Sequence, residues 1–299
     1  MKKFPIIIFS YNRPLHLRRM LLSLENCKDV SKYPVYFFCD GPKNQLDKKK
    51  IIKIQKIINK KFKFKFKKKY FRSNNLGLAK NIISGVSLIL KSYKACIVIE
   101  DDLKLGKYAL EFINHYLNVI KSKDKIGSIS SYSYLNQSKK FIEFESYITK
   151  RHCSWCWGTW SRVWKKIEWE KINYKSHFNN KKKQLKFNEA GNDLNLMLWG
   201  QYKKYINSWA IRFNYHCFEN KLKSLQPRFT MVNNLGSDFS GTHELFKFNK
   251  NIVLNFVPNL KRNIYNKYLL SDKKSDIIIK SNHRKSFRLS FMRVISNVL

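Results

Sequence analysis

Short apolar runs alternate with longer amphipathic stretches through the first hundred residues. PIIIFSY (Pro5 to Tyr11) is a compact, Ile-rich run that reads as a buried strand, ended by Asn12-Arg13-Pro14. Leu15, Met20, Leu21 and Leu24 then recur at helical spacing and predict a helix to about Asn26. YPVYFFCDG (Tyr33 to Gly41) predicts a second strand closing on Asp40-Gly41. Ile51, Ile52, Ile54, Ile57 and Ile58 predict a second helix. Phe62, Phe64 and Phe66 alternate with lysines, which predicts a strand running to about Arg72. NNLGLAKNIISGV starts as a loop and turns helical after Gly77, and ACIVIEDD (Ala95 to Asp102) is an apolar strand ending in three acids.

Strand and helix in alternation predict an α/β fold with a mostly parallel sheet and right-handed crossovers. Such sheets bind ligands beyond the carboxyl ends of their strands. Asn12-Arg13, Asp40-Gly41 and Glu100-Asp101-Asp102 all fall there, so three polar clusters are expected to meet at one edge. From about Gly127 the pattern is less regular. It contains a Trp-rich stretch, CSWCWGTWSRVWKKIEW, whose aromatics recur at near-helical spacing. A helical stretch after Asn192 and a loop, NNLGSDFSGTHE, follow.

Composition changes the picture less than its charge suggests. The chain has 299 residues, with 60 Lys+Arg against 20 Asp+Glu, a formal charge of +40. Hydrophobic residues make up 43%, enough for a sizeable core and too many for a disordered polycation. The excess is mostly Lys in a chain also rich in Asn, Ile, Phe and Tyr, a compositional bias more than a binding motif. No zinc finger, helix-turn-helix or RNA-recognition pattern accompanies it, so nucleic acid is not the expected partner. No run approaches the roughly 20 apolar residues of a membrane span. The apolar start is too short for a signal peptide and is broken by Asn12, Arg13 and Pro14, so the chain is expected to act in the cytoplasm. Six scattered cysteines make no disulfide framework, and the lone C-x-x-C of Cys153 and Cys156 has no second pair at zinc-site spacing.

The scarce acids carry more information. Three adjacent carboxylates at the end of an apolar strand repel one another and are costly to desolvate. A divalent cation such as Mn²⁺ or Mg²⁺ relieves this, completed by phosphate oxygens and water. The alternative is a solvated acidic turn. Lys80 lies in the first turns of the helix after Gly77, where an anionic phosphate is favoured, or it is one more surface lysine. Asp40 either hydrogen-bonds a ribose or base edge or simply makes a turn before Gly41. Asp193 enters a helix as an N-cap or as a general base.

Taken in order, these segments resemble metal-dependent nucleotide-sugar glycosyltransferases of the GT-A (Rossmann-like) fold. The likeness is to the N-acetylglucosaminyltransferase I type and bacterial family-two-like sugar transferases. The matching pieces are PIIIFSYNRPLHLRRMLLSL, FFCDG, NNLGLAKNIISGV, VIEDDL, SWCWGTWSRVWKKI, GNDLNLML and NNLGSDFSGTH, spanning residues 4 to 245. The resemblance implies a glycosyltransferase domain over 1–250, with a nucleotide-sugar half (1–126) and an acceptor half (127–250), and a basic extension over 251–299. It implies that Asn12, Arg13 and Lys80 lie near the donor nucleotide or diphosphate and that Asp40 bonds the base. Glu100 would belong with the donor site, and Asp101 would contact the ribose or metal-bound waters. Asp102 would ligate Mn²⁺ or Mg²⁺, with His243 reaching the diphosphate or metal. Trp157, Gly158 and Trp160 would be acceptor-side residues, although buried aromatics at this spacing also suit a core. Asp193 would deprotonate the acceptor hydroxyl, giving inversion.

The implied donor is a UDP-sugar, and the implied acceptor a glycan or glycolipid of cell-surface polysaccharide or lipopolysaccharide. After Asp276 no acid appears. Phe287, Phe291, Val294 and Val298 share one helical face near Arg284, Lys285 and Arg288, so a basic amphipathic helix is expected to meet an anionic membrane surface or dock on the core. A nucleotidyltransferase of the same α/β plan is the competing reading, but it would ordinarily carry a Gly-rich phosphate loop where this chain has SYNRP.

Overall fold

A computed structural model describes residues 1–135, 145–236, 269–270, 275–277 and 279–280. Its first half is the expected alternation. Strands β1 (Ile6–Ser10), β2 (Val35–Cys39), β3 (Phe66–Phe71) and β4 (Ala95–Glu100) are linked through helices α1 (Pro14–Glu25), α2 (Gln45–Ile58) and α3 (Leu78–Ile89). β1 pairs in parallel with both β2 and β4, and β2 with β3. Every residue of β1 and β2 is buried, which is why both read as continuous apolar runs without alternation. α1 starts on Pro14, whose missing N–H costs nothing in a first turn, and buries Leu17, Met20, Leu21 and Leu24.

β3 is an edge strand and shows three lysines in succession, a charge pattern that discourages pairing with another chain. The strand begins at Phe66, later than the Phe/Lys alternation suggests. Phe62 and Phe64 stack on each other ahead of it, with ring centroids 5.2 Å apart.

Strand β5 (Leu103–Leu105), helix α4 (Ala109–Val119) and strands β6 (Ile126–Ser130), β7 (Ser146–Thr149) and β8 (Trp157–Trp160) come next. Short helices α5 (Ser161–Trp164), α6 (Tyr174–Phe178) and α7 (Lys181–Phe187) lead to α8 (Leu194–Tyr202) and α9 (Trp209–Glu219). Strands β9 (Lys223–Pro227), β10 (Val232–Asn234) and β11 (Leu269–Leu270) complete the described elements. Nine strands form one sheet in the order β11-β7-β9-β6-β8-β4-β1-β2-β3, and β5 pairs with β10 in a second. Helices flank a sheet that is parallel from β3 to β4 and mixed beyond it.

The mixing explains the irregular second half. β8 lies antiparallel between β4 and β6, so Trp157 to Trp160 form a central strand. Helix α4 packs onto that strand at Gly158. A side chain there would place its Cβ 2.6 Å from Ile113 Cγ2, so only glycine admits the helix this closely. Residues 269–280 fall in the expected extension, and some contact the sheet: β11 pairs with β7, and Thr149 Oγ1 donates to Asp276 Oδ1 at 2.7 Å. The predicted amphipathic helix of residues 284–298 lies outside the described residues. Among the described residues, no helix is long and apolar enough to cross a membrane.

Candidate functional site

β4, β1 and β2 are neighbours with a common direction, so their carboxyl ends bring the three polar turns together. Ser10 Oγ donates to Asp101 Oδ2 at 2.8 Å, and the Tyr11 amide donates to the same oxygen at 3.2 Å. Arg13 Nη1 lies 3.1 Å from Asp102 Oδ2. The Asp40 amide donates to the Ser10 carbonyl at 2.9 Å, continuing the β1–β2 ladder into the site. Glu100 is the last residue of β4, half-buried and in register with Phe9. The expected convergence at one edge is therefore present, and its contacts are specific.

Electrostatics separate the two aspartates. Asp101 is buried. Burial first, and the charge of Asp102 second, push its proton affinity above the usual carboxylate range. Burial also pushes Asp102 up, opposed first by the Arg13 guanidinium. Asp101 thus serves the turn after β1, while Asp102 faces a cation.

The strand pair β5–β10 closes over Asp102. Leu235 N donates to the Asp102 carbonyl at 2.7 Å, and Gly236 N donates to Asn234 Oδ1 at 2.6 Å. A Cβ on Gly236 would sit 2.6 Å from Asp102 Oδ2 and 3.3 Å from Arg13 Nη1. The start of the NNLGSDFSGTH loop thereby forms one wall of the cluster. His243, expected farther along that loop, lies outside the described residues.

Asp40 acts on the opposite wall. Its Oδ1 accepts from Gly41 N at 2.9 Å and from Leu76 N at 2.8 Å, and Asn75 Nδ2 donates to the Gly41 carbonyl at 2.8 Å. A Cβ on Gly41 would lie 2.3 Å from the Asn74 carbonyl carbon, so the 74–77 loop passes directly over that glycine. The loop ends on Gly77 at φ +76°, a conformation that favours glycine, and α3 begins there with Lys80 exposed in its first turn. Asp40 is thus a buried anchor that holds the positive end of α3 at the sheet edge.

A residue the sequence reading passed over ties down the turn after β1. Asp47, buried in the first turn of α2, accepts from Asn12 Nδ2 at 2.7 Å, from Lys43 N at 3.2 Å and from the Tyr11 hydroxyl. Burial raises its proton affinity, but the bonds from Asn12, Tyr11 and Lys43 outweigh that and leave it below the usual range. Asp47 is a rare acid at the start of a lysine-rich helix, which is the signal the sequence offered.

Asp193 belongs to a second cluster. It stands at the N-cap of α8 but makes no side-chain cap bond. Its carboxylate instead takes both arms of Arg151, Nη1 to Oδ1 at 2.8 Å and Nη2 to Oδ2 at 2.7 Å. Burial works against the charge on Arg151, but Asp193 and then Tyr134 hold it more firmly protonated than usual. Arg151 lies over the Tyr134 ring, its central carbon 5.5 Å from the centroid. Tyr132 packs edge-on against both Tyr134 (5.0 Å) and Trp155 (4.6 Å). These three aromatics are half-buried.

That arrangement corrects the expectation for the acceptor side. Trp157, Gly158 and Trp160 are strand residues inside the sheet, with Trp157 fully enclosed and Trp160 5% exposed. Trp157 stacks on Trp209 at 4.8 Å, and Trp160 Nε1 donates to the Leu117 carbonyl at 3.1 Å. A central strand turns these side chains into core packing, with no face left for a sugar. Beside Arg151, Trp155, Tyr132 and Tyr134 remain half-accessible. The alternation in SYSYL just after β6 was the available signal for the last two.

Among the described residues, no group of three or more His, Cys, Asp or Glu side chains is placed to hold a metal ion. All six cysteines are free and buried, Cys153 and Cys156 included. What the cluster does offer is hard oxygen donors, the Asp102 carboxylate with the Asn234 amide nearby. Mg²⁺ and Mn²⁺ are commonly held by one or two carboxylates and completed by water and substrate phosphates, so the donor set suits such an ion.

No protein-family model and no curated protein sequence matches the chain. Solved structures resemble it. S. aureus TarS 1-349 is 12% identical, with 80% of this chain and 62% of that chain covered and a TM-score of 0.41. The mannosyltransferase PcManGT from Pyrobaculum calidifontis, solved with GDP-Man and Mn²⁺, is 9% identical over 56% of this chain and 46% of that chain, at a TM-score of 0.39. The galactosyltransferase LgtC, solved with donor and acceptor sugar analogues, is 8% identical over 72% and 70%, at 0.37. The chain spans less than two thirds of the TarS and PcManGT chains.

Proposed function

We propose that this chain is a glycosyltransferase. It would move a sugar from a nucleoside-diphosphate sugar to a hydroxyl of a glycan or glycolipid acceptor at the carboxyl edge of β4, β1 and β2. The observation that carries this reading is the meeting of the Tyr11–Arg13 turn, Asp40 and Asp102 at that edge, beside the amino end of α3. Cations and a helix start suit a diphosphate. A carboxylate beside them suits a divalent metal.

In this scheme the chain's own residues do the following. Arg13 binds the diphosphate and stabilises the charge that builds on it as the glycosidic bond to the sugar breaks. Lys80 and the amides at the start of α3 contribute to the same field. Asp101 and Asp47 hold the turn after β1, so that Asn12 and Arg13 keep their geometry without reorganisation. Asp40 fixes the loop that presents α3. Asp102 would hold Mn²⁺ or Mg²⁺, which when bound supplies Lewis-acid neutralisation of the leaving diphosphate.

Asp193 takes the proton of the attacking hydroxyl, oriented by Arg151, and the aromatic trio Tyr132, Tyr134 and Trp155 offers ring faces to the acceptor. Attack from the side opposite the leaving group gives inversion.

The test is a panel of UDP-, GDP- and CMP-sugars with Mn²⁺ or Mg²⁺, with donor hydrolysis and transfer to purified glycans and glycolipids followed by mass spectrometry. Turnover of at least one donor, with inverted configuration by NMR, is expected. Hydrolysis of none would sink the proposal, and a retained configuration would sink its inverting part.

A further inference from the structure

At the end of the sheet away from the candidate site, a cleft of about 740 Å³ opens between the start of β1, the loop before β4, the end of α4 and the end of β8. That is within the roughly 300–1,000 Å³ of small-molecule sites. Phe4, Leu117 and Ile120 give it an apolar floor, and Trp160 lies beneath Arg162 at its side. Its rim carries Lys94, Arg162, Lys165 and Lys166, and no acid among the described residues lines it. The Arg162 guanidinium lies over the Trp160 ring, 4.6 Å from the centroid. Its Nη2 is buried and has no hydrogen-bond partner in the structure. A buried guanidinium nitrogen left without an acceptor is costly, and an anionic oxygen would satisfy it.

We propose that this cleft binds an anionic phospholipid, with the phosphate on Arg162 and the lysine rim and the start of an acyl chain on the apolar floor. The floor and rim together favour a lipid over the alternatives. A nucleic acid would need open aromatic faces for its bases, whereas Trp160 is 5% exposed and its face is covered by Arg162. A free phosphate would use the rim and leave the floor idle. Clusters of basic side chains next to apolar surface are the usual means by which proteins hold anionic leaflets. The cleft lies one strand length, roughly 17 Å, from the Asp102 cluster. That cluster therefore stays open to substrates while the opposite end of the sheet meets the membrane.

Co-sedimentation of the full chain with phosphatidylcholine vesicles, with and without phosphatidylglycerol, tests this. The native protein is expected to bind the anionic vesicles. Arg162→Gln/Lys165→Gln/Lys166→Gln is expected to bind at least tenfold more weakly with an unchanged melting temperature, and Lys165→Gln/Lys166→Gln to fall between. A charge-matched control on α2, Lys48→Gln/Lys49→Gln/Lys53→Gln, should stay within twofold of native. Dihexanoyl-phosphatidylglycerol below its micelle concentration should displace the native protein from vesicles where the same concentration of inorganic phosphate does not. Equal losses in the two triple variants would reduce the effect to general charge and overturn the proposal. So would absence of binding, or equal displacement by inorganic phosphate.

Discussion

Arg13 Nη1 and Asp102 Oδ2 are 3.1 Å apart, with side chains 16% and 17% exposed, at the carboxyl ends of two adjacent parallel strands. The pair joins a residue that reads as a phosphate ligand to one that reads as a metal ligand. Arg13→Gln leaves Asp102 partly buried without its cation. Loss of one partner of such a pair costs on the order of 1–3 kcal/mol of stability. The proposed transfer reaction should fall by about 100-fold, the usual scale for one lost electrostatic contact to a developing charge. Thermal unfolding and initial-rate assays on the same variant separate the two effects.

Gly41→Ala tests the anchoring of the 74–77 loop. The new methyl would meet the Asn74 backbone, which cannot rotate away as a side chain can. Destabilisation of about 1–3 kcal/mol is expected by urea unfolding. Gly236→Ala differs, because its methyl would meet the Asp102 carboxylate and the Arg13 guanidinium. It should leave the unfolding midpoint nearly unchanged and weaken Mn²⁺-dependent turnover.

Arg151→Met separates orientation from charge in the second cluster. Asp193→Asn should lower transfer by about 10²–10⁴-fold, the range for loss of a general base. Arg151→Met removes the two bonds to Asp193 and frees its basicity, so kcat should drop and the acidic limb of its pH profile should move upward. An unshifted profile would leave Arg151 a purely structural partner.

The strands of β1, β2 and β4 were plain because both their faces are buried and their apolar runs are uninterrupted. The convergence of Arg13, Asp40 and Asp102 followed from parallel order alone. The strand at Trp157 to Trp160 was not legible because an antiparallel strand inserted into the sheet centre has no short-range signature, although the burial of its tryptophans agrees with the core reading of that stretch. Arg151 was invisible because its partner lies 42 residues away and the bond depends on how α8 meets the chain after β7. Asp47 was readable in principle, as a lone acid among lysines.

His152 gives the fold a pH dependence. It is 5% exposed, with Nδ1 2.9 Å from Ser128 Oγ and its ring against Trp157, Trp209 and Phe213. Ser128 Oγ donates onward to Ser224, so the histidine carries its proton on Nδ1, and Nε2 has no partner in the structure. Burial pushes the imidazole down to about 3. The folded state therefore keeps it neutral while the unfolded chain protonates near pH 6.5. Its contribution is fully present above pH 6.5 and is lost as pH falls toward 3, at up to about 1.4 kcal/mol per pH unit. His152→Phe should flatten the stability profile between pH 6.5 and 4 in chemical unfolding.

Calorimetric titration of the native chain and Asp102→Asn with UDP- and GDP-sugars, with and without Mn²⁺, tests the central claim most directly. One nucleotide sugar should bind the native chain in a Mn²⁺-dependent manner, and Asp102→Asn should lose at least tenfold in affinity. No binding by any donor, or equal binding by the two proteins, would contradict a donor site at the carboxyl edge of β1 and β4.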